Sequence, residues 1–212
     1  MNYTQLSQLI QDYVQSTETS FVANIPTFVE VAEQRIYNTV QLPALRKNVT
    51  GAMSSGNQYM SLPSDWLSTF SMAVIDNVTN EYEYLLNKDV NFIRASYPTV
   101  AATGKPKYYA IFDSGTMLLG PTPNGNYTAE LHYYYYPVSI VAAGTSWLGD
   151  NFDSVLLYGS LREAYTYLKG EADMVTYYEQ KYQEALGQLK RLGDGLDRQD
   201  AYRSGQVRIP VT

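Results

Sequence analysis

The hydrophobic period of the chain changes twice along its 212 residues, and that change limits the folds open to it. Residues 1–43 and 144–193 carry apolar positions three and four apart, the repeat of amphipathic helices. Between them, residues 44–143 run in short β-compatible stretches separated by turn signals. Helices at both ends with strands between them predict an α+β fold. The N- and C-terminal helices form a four-helix bundle, an antiparallel β-domain is inserted between them at 44–143, and residues 194–212 make an extended C-terminal arm.

In the first helix Leu6, Leu9, Ile10, Tyr13 and Val14 share a face, with Thr4 as the candidate N-cap. The second is expected to begin near Asn24, with Pro26 in its first turn and a stripe of Phe28, Val29, Ala32, Ile36, Tyr37 and Val40, and to end before Pro43. After Gly144, Asp150 or Asn151 is the candidate cap for a helix whose face holds Val155, Leu157, Tyr158, Leu161, Tyr165 and Leu168, with Gly170 as its stop. The last helix places Met174, Tyr178, Tyr182, Ala185, Leu189 and Leu192 together. Its acids come early (Glu171, Asp173) and its bases late (Lys190, Arg191), as the helix dipole favours.

Within 44–143 the turn SSGN separates two strand candidates, and DNVTNE lies between WLSTFSMAVI and YEYLL. A short helix is predicted in NKDVNFIRAS, closed by Tyr97-Pro98. Three further strands follow in GKPKYYAIFDSGTMLLGPTPNGNYTAELHYYYYP, divided by DSG and PTPNGN. Strand alternation puts the run Tyr133, Tyr134, Tyr135 and Tyr136 on both faces of its sheet. One face is core; the other needs a cover. The chain holds 21 tyrosines against 6 phenylalanines, and only 17% of its residues are charged, below the roughly 25% usual for soluble domains. Such a surface suits protein–protein contact, because the ring buries area while the hydroxyl still finds a partner. These four tyrosines are therefore candidate residues for an interface with another subunit or another protein.

Net charge −6 argues against a basic-patch nucleic-acid binder. With no cysteine, disulfides and thiolate chemistry are excluded. The N-terminus lacks the positive region of a secretory signal and no run approaches a membrane span, so a soluble, unsecreted protein with no membrane partner is expected. No catalytic constellation stands out. The single histidine, His132, has Glu130 as its one same-face acid and reads as a packed or hydrogen-bonded side chain. Asp194, Asp197 and Asp200 recur every third residue without the glycine-centred loop of a calcium hand. Glu30 and Glu33 read as a solvated helix face, and Glu81 and Glu83 carry no further support. The expectation is no enzyme, no cofactor and no metal site.

The order IPTFVEVAEQRIYNTVQLPALRK, YMSLPSDWL, GKPKYYAIFDSGTMLLGPTPNGNYTAELHYYYYP and FDSVLLYGSLREAYTYLKGEADMVTYYEQKYQEALGQLKR resembles the head-to-tail connector proteins of tailed bacteriophages, also called adaptor or tail tubular protein A-like proteins. The phrases that carry the resemblance are LPSDW, the pattern of Gly104, Pro106 and Tyr108, the turn Gly120-Pro121-x-Pro123, and the tyrosine-rich strand ending at Pro137. The resemblance implies a homo-oligomeric ring of twelve subunits in the virion neck, made in the host cytoplasm. It would be bound to the portal protein on one side and to tail or nozzle proteins on the other, with DNA passing through the lumen without specific binding. It also implies that the C-terminal segment docks on the portal, with Arg203, Val207, Arg208, Ile209 and Val211 as the arm candidates. Three other readings stay open at this point: another ring-forming tail-completion or minor tail protein, a carbohydrate-binding β-module, and a hydrolase with a carboxylate site.

Overall fold

The computed structural model describes residues 1–204, with side chains described through 195. In chain order the elements begin with α1 (Tyr3–Val14), α2 (Thr19–Thr39) and a 3-10 turn (Pro43–Leu45). The strands and short helix that follow are β1 (Arg46–Met53), β2 (Tyr59–Ser61), β3 (Ser68–Ile75), β4 (Tyr82–Tyr84), β5 (Leu86–Asn87), α3 (Val90–Ser96), β6 (Thr103–Gly104), β7 (Tyr108–Asp113), β8 (Thr116–Gly120), β9 (Thr122–Pro123) and β10 (Tyr127–Tyr134). The chain closes with α4 (Ile140–Ala143), α5 (Trp147–Asn151), α6 (Asp153–Tyr167) and α7 (Ala172–Ser204). These elements form two compact units: Met1–Leu45 with the residues from Tyr136 onward, and Arg46–Tyr135.

The helical unit is organised around α6, which packs against α1, α2 and α7. Leu6 and Ile10 of α1, Phe21, Ile25, Val29 and Ile36 of α2, Val155, Leu156 and Leu161 of α6, and Tyr182 and Leu189 of α7 are at most 1% exposed. Each such aliphatic side chain contributes about 1.5–3 kcal/mol by leaving water. Gly159 lets α6 come close to its neighbours: a Cβ there would stand 3.1 Å from the Ala32 Cβ and 3.2 Å from the Tyr182 ring. An ionic cluster ties the same three helices. Glu163 Oε1 takes Arg162 at 2.6 Å and Arg35 at 3.2 Å, while Glu179 Oε2 meets Arg162 Nε at 2.8 Å and Arg35 at 3.6 Å. Burial works against the Glu179 charge, but the Gln183 amide and the two arginines outweigh it and hold the carboxyl below its ordinary range. The Arg35 guanidinium also lies 4.9 Å over the Tyr182 ring.

Several helix ends differ from the sequence expectation. Asn2, not Thr4, caps α1, in a reciprocal pair of hydrogen bonds with Gln5. Helix α2 starts at Thr19, so Pro26 lies inside it rather than in its first turn. The apolar residues Phe21 and Ile25 extend the buried stripe through the Ser-Thr-rich segment, and burial overrides the local breaker signal. Asp150 and Asn151 belong to α5, and α6 follows Phe152 with no side-chain cap. The buried face of α6 is centred on Leu156 and Gly159–Leu161, rotated from the expected one, because the helix is covered on more than one side. The last helix continues to Ser204, eleven residues past the expected end at 193, so residues 194–204 are helical and not the extended arm expected there.

The β-unit is a sandwich. One sheet has the order β1-β10-β3-β4 and is antiparallel throughout; the other has the order β2-β8-β7-β5. Between them lie Met53, Met72, Val74, Ala129, Leu131 and Tyr133 from the first sheet and Tyr109, Met117 and Leu119 from the second. Helix α3 covers the outer face of the second sheet, setting Ile93 on Ala110 and Leu118. The expectation of purely antiparallel pairing needs correction in two places. β5 pairs with β7 in parallel, and the two-residue strands β6 and β9, absent from the sequence reading, pair in parallel with each other. That second pairing joins two phrases singled out above. Thr103-Gly104 lies beside Thr122-Pro123, the Gly120–Pro121 bond is cis, and a Cβ on Gly104 would stand 3.1 Å from the Pro121 ring.

Candidate functional site

The four tyrosines do not form one surface. β10 alternates as its period requires: Ala129, Leu131 and Tyr133 point into the sandwich, and Thr128, Glu130, His132 and Tyr134 point away from it. Tyr133 is 1% exposed, and its hydroxyl donates to Asp65 at 2.8 Å. Lys47 binds the same carboxylate at 2.8 Å, and its ammonium lies 5.2 Å over the Tyr135 ring. The Lys47 ammonium, with the Tyr133 hydroxyl behind it, holds the Asp65 carboxyl below its ordinary range. Asp65 therefore serves the core, and Trp66 beside it, half-buried against the same core, donates from Nε1 to Thr69 at 3.2 Å. In this fold the LPSDW phrase anchors the strand connection.

Tyr134 stands on the outer face. The register between β10 and β3 slips after His132, pairing His132 with Ser71 but Tyr133 with Thr69, and leaves Phe70 as the extra residue of a bulge. Phe70 is thereby turned outward, edge-on to Tyr134 at 5.9 Å, with the Arg46 guanidinium 4.4 Å over its ring. Further along this face Asn48, Glu130 and His132 join in one cluster. Asn48 Nδ2 lies 2.7 Å from Glu130 Oε1, and His132 Nε2 lies 2.9 Å from both partners. The Asn48 amide, then His132, keep the Glu130 carboxyl below its ordinary range. Tyr82 and Tyr84 extend the face at its β4 edge, 57% and 68% exposed. Tyr136 belongs to the helical unit, where it stacks on Tyr37 at 6.3 Å and donates to Asn38.

The reading of Glu30 and Glu33 as a solvated pair is corrected for Glu33. That side chain is 3% exposed and accepts the backbone N–H of Ile140 at 3.0 Å, at the start of α4. Burial pushes its carboxyl above the ordinary value, against the hydrogen bonds from Ser139 and Ile140. Glu33 thus fastens the segment that returns from the β-unit. The signal that could have found it is position: Glu33 follows Val29 by four residues and Ala32 by one, inside the apolar stripe.

Among the described residues no group of three His, Asp or Glu side chains is placed to hold a metal ion. No described helix is long and apolar enough to cross a membrane. Of the arm candidates, Val207, Arg208, Ile209 and Val211 lie outside the described residues, as does the side chain of Arg203. The sequence reading also missed the surface around α3. There, Phe92 meets Tyr108 edge-on at 5.4 Å and Phe112 meets Tyr59 at 5.4 Å, with Lys88 and Arg94 over the phenylalanine rings.

Comparison with known proteins adds one finding. No curated protein matches the chain. The family model described as SU10 adaptor protein matches residues 1–210. With that match running almost end to end, the chain belongs to the SU10 adaptor protein family, a structural family of phage head–tail adaptors.

Proposed function

We propose that the chain assembles into a ring, a dodecamer, that joins the portal of the capsid to the tail and lets DNA pass through its lumen. The observation that carries this reading is the match of nearly the whole chain to a head–tail adaptor family. The physical properties are compatible with it. A ring needs two different sticky surfaces on each copy, and the chain has exposed aromatic area on the outer side of each sheet. Net charge −6 suits a conduit that repels phosphate rather than holding it. In this reading the four long helices act as a bundle that builds the ring wall. Tyr134, with Phe70, faces a neighbouring subunit or tail protein. The C-terminal end of the chain, from the last turn of α7 onward, docks on the portal through Arg203, Val207, Arg208, Ile209 and Val211.

The test is reconstitution. DNA-filled heads from a phage lacking this chain are mixed with purified tails, with and without the added protein. Joining and infectivity restored only by the added protein support the reading. Heads that join tails equally well without it refute it.

A further inference from the structure

The α3 side of the β-unit combines features of a docking surface. Tyr59, Phe92 and Phe112 are 38%, 40% and 43% exposed. They stand in two aromatic pairs, each with a cation over it: Lys88 lies 5.3 Å from the Phe92 ring centre and Arg94 5.7 Å from that of Phe112. Beside them is a cleft of about 260 Å³, lined by Ile93, Arg94, Tyr97, Val100, Leu118 and Thr122 among others. That is below the ~300–1,000 Å³ of small-molecule sites. Lys88 and Arg94 meet no carboxylate within 4.0 Å among the described residues, whereas Lys47 and Lys105 are both ion-paired. The face is aromatic, cationic and open.

Its complement lies on the same sequence. Residues 1–41 hold Asp12, Glu18, Glu30 and Glu33 against Arg35. Glu33 is buried and Arg35 is bound to Glu163 and Glu179, so the exposed remainder is Asp12, Glu18 and Glu30, three acids and no base. On α2 the exposed residues Ala23, Thr27, Glu30, Val31 and Gln34 fall on one outward stripe. At its centre Glu30 carries an unpaired charge beside Val31, an apolar side chain that is 38% exposed.

Resting on the ring reading above, we infer that the α3 face of one copy receives the α2 stripe of the next, with Glu30 against Arg94 and Val31 against the exposed phenylalanine rings. This is a heterologous contact: two different patches on each copy, repeated around the ring until it closes. A buried aromatic core with a charged rim is the usual composition of such a contact, and the opposed charges set its orientation.

The absence of cysteine allows a direct test. The full-length double variant Arg94→Cys with Glu30→Cys is mixed with portal particles, oxidised, and run on a non-reducing gel. A ladder of disulfide-linked copies reaching the ring number, at least tenfold stronger than for the control pair Arg94→Cys with Lys181→Cys, is expected. In parallel, Arg94→Glu should weaken assembly about tenfold, and adding Glu30→Lys should restore it. Glu30 and Arg94 are exposed and Lys181 is partly exposed, and circular dichroism checks that folding is spared. Rings of unchanged mass with no ladder above the control, or charge-reversed chains that assemble as the parent does, overturn the inference while leaving the ring reading intact. A parent chain that builds no ring overturns both.

Discussion

Tyr133 and Tyr134 are adjacent and chemically identical, yet the structure assigns them opposite consequences when removed. Tyr133 is packed among Met72, Val74, Leu131 and Tyr109, so Tyr133→Ala leaves a large cavity and should cost about 3–5 kcal/mol, as other buried aromatic truncations do. Tyr133→Phe keeps the ring and loses only the hydroxyl's bond to Asp65, for about 1 kcal/mol, the low end for a charged acceptor because Asp65 is partly exposed. Tyr134→Ala loses an edge-on contact with Phe70 at a part-exposed site, worth about 0.5–1.5 kcal/mol. The assay is urea unfolding followed by Trp66 fluorescence in a Trp147→Phe background, which reports the β-unit alone. With a urea slope of about 1–2 kcal/mol per molar for a unit of this size, Tyr133→Ala should lower the midpoint by at least about 1.5 M, and Tyr134→Ala by no more than about half as much as Tyr133→Ala at the same slope. Equal shifts for the two alanine variants would refute the assignment of inner and outer faces. A Tyr133→Ala midpoint within about 0.3 M of the parent would do the same.

Three further outcomes follow from the helical unit. The raised carboxyl of Glu33 means the folded state holds its proton more tightly than the unfolded state does. Glu33 therefore adds stability as pH falls through its raised value, levelling off below the unfolded carboxylate range and absent at neutral pH. A Glu33→Gln variant, which still accepts from Ile140, should lack that acid-side gain in thermal melts at a series of pH values. Gly159→Val should destabilise by about 1–3 kcal/mol, since the new side chain meets Ala32 and Tyr182 at tight distances; an unchanged melting temperature would contradict the close packing of α6. Glu163→Gln should cost about 1 kcal/mol by removing one of the two carboxylate charges that Arg35 and Arg162 share, and the loss should shrink in 1 M salt, read by chemical unfolding at both ionic strengths.

Much of the architecture was legible in the period of the apolar residues. The 3.6 repeat of α1 and α7 and the turn signals DSG and SSGN lie where the elements and their connections are found. Elements that depend on contacts distant in sequence were not legible. β6 and β9 are two residues each and exist because Gly104 and Pro121 meet across the fold. Glu33 looks like a surface acid until Ile140, more than a hundred residues away, supplies the N–H it accepts. Phe70 reads as one more strand residue, and only its bulge against β10 turns it outward. The tyrosine run shows both limits: alternation foretold two faces, but not that Tyr136 would bind within the helical unit. The α3 face went unnoticed because Lys88, Phe92, Arg94 and Phe112 come together only when a helix lies across a sheet.

The ring proposed above would sit on the portal. Its most direct test is the mass of the purified protein alone and after mixing with portal particles, read by single-particle mass measurement. A dodecameric ring predicts a stoichiometric gain of twelve copies per portal, about twelve times the 23.9 kDa of one chain. Portal particles whose mass does not change at saturating protein would contradict it.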